Sequence, residues 1–312
     1  MELGERVEAY IRSKQYRLIN SVLIYEEDKP LVEGYYNGFN AESRNVIRSV
    51  AKSIVSIVVG ICLEQKIIKS VEEPIYHYLP PFGQGRDPLH KAITIKHLLT
   101  MTSGIYWVGG VHYHCPQLAA LHRSKDWVEH IADTAVKNVP GTHYNYKEWD
   151  VMLMTAILQQ AIGGDFFDFL KANLYDHLHI QSGRWWKSKG GVYYSVGSGG
   201  AGNGESEERP SNLTAREMLH IGQLFLNRGV YEGKQIVSAN YIEEATTPAR
   251  CQPNYGYFWW IREDGQGCRG FGGQNITVIP KKKIVAVIQA TPTARGKEYD
   301  DVLDYALSLM EG

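Results

Sequence analysis

The chain is short of several things, and each shortage narrows the possibilities. Its 312 residues carry 33 Lys and Arg against 34 Asp and Glu, a formal net charge of −1. Proteins built around nucleic acid or an anionic membrane need a surplus of positive charge, so neither partner is expected. The four cysteines, Cys62, Cys115, Cys251 and Cys268, show no Cys-x-x-Cys spacing. Residues 1–14 are charged throughout and do not read as a signal peptide. The longest apolar run, residues 54–63, is interrupted by Ser56 and Gly60. It has about half the roughly 20 residues a bilayer span needs, and reads as a buried core helix. A cytoplasmic protein with reduced thiols is the expectation. Phenylalanine is also scarce, at 8 against 20 tyrosines. That ratio favours wet, hydrogen-bonding aromatic surfaces such as clefts.

Periodicity supplies an outline. Residues 2–14 have helical spacing, and residues 17–25 and 31–38 read as a β-hairpin. An apolar helix covers 49–65. Helical pieces follow at 95–101, 127–136, 148–162 and 166–174. Residues 190–211 form a Gly- and Ser-rich loop, and Thr214-x-x-Glu217 opens a helix to residue 226 through a capping box. Strand-like runs cover 255–262, 274–280 and 284–290, with a last helix at 299–310. Strands at both ends around a helical block mean α+β rather than a parallel βαβ fold. The expected architecture is an antiparallel sheet lobe from residues 1–69 and 190–312, an all-helical lobe from 70–189, and a site in the cleft between them.

Three motifs carry candidate chemistry. Ser49-Val50-Ala51-Lys52 puts a hydroxyl and an amine on one helix face, about 5–6 Å apart at Cβ. A serine in the first turn also feels the positive end of the helix dipole, which favours an oxyanion. A lysine in the apolar setting of Ile54, Val55 and Val58 loses its charge more easily and serves as a base. Tyr144-Asn145-Tyr146, entering the helix at 148, offers a second proton-transfer group. Gly270-Phe271-Gly272-Gly273-Gln274 opens a strand, and its glycines let a substrate approach the backbone. Taken singly, the same strings also suit a capped core helix, a loop anchor and a strand bend.

Together, in this order, they resemble the serine hydrolases of the class C β-lactamase, penicillin-binding protein and carboxylesterase superfamily. Ile93-Thr94-Ile95-Lys96-His97-Leu98-Leu99-Thr100-Met101-Thr102-Ser103-Gly104, the helix start at Asn212-Leu213-Thr214, and Tyr255-Gly256-Tyr257-Phe258-Trp259-Trp260 add to the likeness. The resemblance implies a nucleophile at Ser49, a base partner at Lys52, and Tyr146 in the place of the Tyr-x-Asn tyrosine. It implies an oxyanion hole from the backbone N–H groups of Ser49 and Gln274. The reaction would be two-step acyl transfer on a small ester or amide. Whether Lys52 or Tyr146 is the resting base stays open, since the two titrate as a pair.

Two positions depart from the family pattern. Glu148 stands where Tyr-x-Asn has asparagine, and Phe271-Gly272-Gly273 replaces the Lys/His-x-Gly box. The substrate-binding set is therefore read as Glu148, Phe271, Gly272 and Gly273, with no cation at Phe271 to hold a substrate carboxylate. Glu148 either selects an ammonium-bearing substrate or pairs with Lys52 or Lys147 and sets geometry. β-Lactamase or D,D-peptidase activity, and a silent binding protein on the same scaffold, are the alternatives to an esterase or amidase. No metal and no cofactor are implied. His112-Tyr113-His114-Cys115 lacks a second ligand cluster. Gly197-Ser198-Gly199-Gly200-Ala201-Gly202 has the dinucleotide-fingerprint spacing but runs on into loop. There is no Gly-x-Ser-x-Gly elbow.

Overall fold

The computed structural model describes residues 2–109, 115–181, 184–194, 212–293 and 295–311. The Gly197–Gly202 run and the His112-x-His114 pair lie outside them.

Helix α1 (Leu3–Ser13) leads into the hairpin β1 (Ile19–Glu26) and β2 (Lys29–Tyr35). A short strand β3 (Asn45–Val46) precedes the core helix α2 (Val50–Glu64). Then come α3 (Ile95–Leu99), α4 (Pro116–Arg123), α5 (Trp127–Ala132), α6 (Glu148–Ile162) and α7 (Phe166–Leu170). A small hairpin, β4 (Trp186–Lys187) with β5 (Tyr193–Tyr194), closes this block. β6 (Asn212–Leu213) pairs with β3 and enters α8 (Ala215–Leu226), capped by Thr214 and Glu217. The hairpin β7 (Val230–Tyr231) and β8 (Lys234–Gln235) and helix α9 (Ala239–Ala245) lead to β9 (Trp260–Ile261), β10 (Gln266–Gly270), β11 (Gln274–Ile279) and β12 (Ile284–Ala290). Helix α10 (Asp300–Met310) is last.

The six-stranded sheet runs β2-β1-β12-β11-β10-β9, antiparallel throughout, so the two ends of the chain share it through β1 and β12. Alternation sorts its side chains. Val22, Ile24, Ala286 and Ile288 meet Val7, Ile11, Val302 and Ala306 from α1 and α10. Leu23, Val285, Val287 and Ile276 face the other way, into a core that α8, α2 and the helical block share. With both faces covered, β1 and β12 carry continuous apolar stretches at residues 22–25 and 284–288. The helices between residues 70 and 189 join this second core rather than forming one of their own.

Helix α2 is the centre of the molecule: every residue from Val50 to Cys62 is buried. Each fully buried Val or Ile is worth about 1.5–3 kcal/mol, against about 1 kcal/mol for a cap. Packing rather than capping holds this helix, which leaves the Ser49 side chain out of any cap bond.

The strand expected at 255–262 is instead a turn with only Trp260–Ile261 extended. Phe258 sits at φ +60, its N–H donating to Leu99 O and its carbonyl accepting from Ser53 Oγ at 2.6 Å. β10 was not anticipated, because Gly267 and Gly270 have poor strand propensity. α4 was not anticipated either. Among the described residues no helix is long and apolar enough to cross a membrane, and no group of three or more His, Cys, Asp or Glu is placed to hold a metal.

Candidate active site

Ser49 is the N-cap of α2. The first turn is tightened: Val50, Ala51 and Lys52 donate to the carbonyls of Ile47, Arg48 and Ser49. Arg48 just before it lies at φ +51, in the left-handed region that disfavours side chains, a strain that packing on both sides sustains. The result aims the Ser49 hydroxyl at Lys52, whose Nζ donates to Oγ across 2.8 Å. The helical spacing read from the sequence is therefore a direct contact.

Lys52 is only 3% exposed, and its second partner is Glu148, with both carboxylate oxygens 2.9 Å from Nζ. Burial pulls the Lys52 pKa down, but Glu148 and Tyr146 outweigh it and the net direction is up. The structure pairs Glu148 with Lys52, not with Lys147. Tyr146 completes the group: Lys52 Nζ lies 5.1 Å from the centre of its ring. Burial raises its pKa above 10.0, with Lys52 opposing and Glu148 adding to the rise. Its ring stacks on Trp260 at 5.9 Å and meets Tyr255 edge-on at 6.1 Å. The Tyr-Gly-Tyr-Phe-Trp-Trp turn is thus the wall that orients Tyr146.

Below this group lies a second set of buried polar residues. Lys147 Nζ donates to Ser103 Oγ and to Ile105 O, both at 3.0 Å, while Ser103 Oγ donates to Asp150 Oδ1 at 2.7 Å. Lys147 stands between Tyr146 and Glu148 in the chain, so this cluster anchors both to the loop after α3. The Thr-Ser-Gly string at residues 102–104 signalled that loop, but the link to Lys147 was not read.

The cleft in front of Ser49 has a volume of about 1050 Å³, and its walls include Tyr146, Trp260, Arg269, Gly270 and Phe271. Gly270 approaches the turn before Ser49 so closely that a Cβ would lie 2.3 Å from Ile47 O. β9 pairs only with Gln266 and Gly267, so from Cys268 onward the Ser49 side of β10 is not covered by β9.

This arrangement shows where the glycine box sits. Gln274 opens β11, an interior strand, opposite Gly270. It is fully buried and its side chain donates to Ala290 O. Gly272 and Gly273 form the turn between β10 and β11 at φ +84 and +89. Cβ atoms there would strike Pro292 and the Tyr299 ring, so these glycines serve packing rather than substrate. Phe271 does reach the cleft. Phe271 brings no cation, but Arg269 also lines the cleft, 2.5 Å from Asp300. The sequence reading did not single out Arg269, which stands just before the glycine string.

Helix α2, with Ser49 at its start and set against the open edge of an antiparallel sheet, is the arrangement of the β-lactamase and penicillin-binding-protein fold. The chain belongs to the Beta-lactamase family, whose model matches residues 7–309. It is 22% identical over 294 residues to a 6-aminohexanoate-dimer hydrolase of Paenarthrobacter ureafaciens, covering 86% of this chain and 71% of that protein. Among solved structures it resembles a penicillin-binding protein from Bacillus halodurans with a TM-score of 0.72, 18% identity, and coverage of 97% and 99% of the two chains. A D-stereospecific amidohydrolase from Streptomyces sp. gives a TM-score of 0.72 at 13% identity, covering 96% and 97%.

Proposed function

We propose that this protein cleaves an amide or ester of a small substrate through an acyl-enzyme on Ser49. The observation that carries the reading is the 2.8 Å contact between Lys52 Nζ and Ser49 Oγ at the floor of an open cleft. Ser49 Oγ attacks the substrate carbonyl, and its proton leaves through the Lys52–Tyr146 group. The Ser49 N–H and a backbone N–H of β10 at Gly270–Phe271 bind the oxyanion. Collapse expels the amine or alcohol, protonated by Tyr146, and water then releases the acid. The amide-hydrolase name of a curated relative supports amides first.

Arg269 favours a second reading, in which the substrate carries a carboxylate that the guanidinium holds. One panel tests both: p-nitrophenyl esters, D-amino acid amides, a linear ω-amino amide, and nitrocefin, with a fluorophosphonate probe locating the nucleophile. Turnover of any member with probe on Ser49 is the expected result. Turnover that persists in Ser49→Ala overturns the reading. Selective loss of carboxylate-bearing substrates in Arg269→Ala separates the second reading from the first.

A further inference from the structure

The contacts around Lys52 raise a question of where the first proton goes. An ammonium has three N–H donors and no lone pair. Those of Lys52 point at Ser49 Oγ and at the two oxygens of Glu148. In that state Lys52 has nothing with which to accept the Ser49 proton. Tyr146 is no better placed, because burial keeps its hydroxyl protonated at neutral pH. Among the described residues, Glu148 is the acidic side chain bonded to Lys52, and both its oxygens accept from Nζ. The charged and titratable groups facing it are Lys52 from α2, Tyr146 from its own loop, and Tyr255 from the turn before β9. Of these, only Lys52 can hand it a proton without first becoming an anion.

We propose that Glu148 is a catalytic residue, the terminal proton acceptor of a Ser49–Lys52–Glu148 relay. The inference rests on the acyl-enzyme reading of Ser49. As Oγ attacks, Lys52 passes one proton to Glu148, and the lone pair so exposed on Nζ takes the proton from Oγ. The Oγ–carbon bond forms while the carbonyl π pair moves to oxygen. At the tetrahedral stage Lys52 is again an ammonium, Glu148 is a neutral acid, and the negative charge sits on the oxyanion. When the intermediate collapses, Tyr146 gives its proton to the leaving group, Lys52 restores it, and Glu148 returns its proton to Lys52. Charge is conserved at each step, and no outside base is needed. Glu148 is 29% exposed on its side chain while its oxygens stay on Lys52. This gives the departure from Tyr-x-Asn a chemical role that asparagine cannot fill.

Glu148→Gln is nearly isosteric and tests the relay with the best substrate from the panel. The expected result is a fall in kcat of about 100-fold or more near neutral pH, with KM within about threefold. The kcat of the variant should then climb toward high pH, as Lys52, freed of its anion, loses its own proton. A kcat within about threefold of the parent and an unchanged pH profile would overturn the relay and leave Glu148 as an orienting group. Removing the carboxylate leaves a buried cation that can unfold the protein, so thermal melting is followed alongside. If Glu148→Gln does not fold, Glu148→Asp decides: withdrawal by one methylene lowers kcat about tenfold with the parent's acid limb kept, and an unchanged kcat overturns the relay. Fluorophosphonate labelling of the parent keeps the two claims apart. Failure to label Ser49, with hydrolysis surviving in Ser49→Ala, refutes the acyl-enzyme; labelled Ser49 with an active Glu148→Gln refutes the relay alone.

Discussion

Lys147 and Asp150 are buried to 1% and 0% exposure, one helical turn apart at the start of α6, with Nζ 3.9 Å from Oδ2. Two ionisable groups taken so far out of water stabilise little as a pair, but each is needed to offset the other. Lys147→Met strands the Asp150 carboxylate and is expected to cost about 3–5 kcal/mol. Adding Asp150→Asn should recover most of that loss. Urea denaturation of the two variants checks this, and equal stabilities would refute the pairing.

The same cluster titrates. Burial raises the Asp150 carboxyl from 3.8 to about 6, although Lys147 and Ser103 pull it down. A carboxyl raised in this way favours folding while protonated. Its contribution is complete below the unfolded value of about 4 and is lost as pH rises through about 6. Asp150→Asn removes that titration, so its stability should vary less across the window than the parent's. Parallel stability curves would show that Asp150 is not the group concerned.

Asp165 behaves oppositely. Burial works to raise it, but the Tyr193 hydroxyl, Lys187 and Arg184 prevail and lower it from 3.8 to about 2. Stability from a lowered carboxyl is present above the unfolded value and is lost as pH falls toward about 2. The groups it gathers tie the β4–β5 hairpin to the start of α7. Acid titration followed by tryptophan fluorescence, with Trp185 and Trp186 beside the hairpin, should show an early step that Asp165→Asn lacks.

Ser49→Ala should leave the melting temperature nearly unchanged, since the hydroxyl caps nothing. Hydrolysis should fall by about a thousandfold or more. Calorimetry and the substrate panel measure the two halves independently.

Gly270→Ala places a methyl 2.3 Å from Ile47 O. A backbone oxygen cannot swing aside, so β10 must retreat from the turn that presents Ser49. A shift of even 1 Å in a reacting arrangement lowers rate steeply, and kcat should drop at least about tenfold. Undiminished kcat would mean that β10 takes no part in the site.

The sequence disclosed what periodicity controls. Ser49 and Lys52 fall on one face because a helix repeats every 3.6 residues, and β1 and β12 are apolar because both faces of the sheet are covered. Tertiary contacts were less legible. Glu148 and Lys52 lie 96 residues apart, and spacing alone left two roles for Glu148 open. The string Gly270-Phe271-Gly272-Gly273 holds three glycines, and only the approach to Ile47 O tells which one faces Ser49. β10 was hidden for a related reason: Gly267, where a Cβ would meet Ile276 O at 2.5 Å, marks close strand packing that propensity penalises.

The burial of α2 on every side has a consequence beyond stability. Ser49 and Lys52 ride on the least deformable part of the molecule, whereas Arg269, Phe271 and Trp260 stand on the cleft's rim. Rim side chains can be exchanged by mutation without disturbing the helix beneath. On the acyl-enzyme reading proposed above, substrate preference is free to drift over generations while Ser49 and Lys52 stay where the core has fixed them.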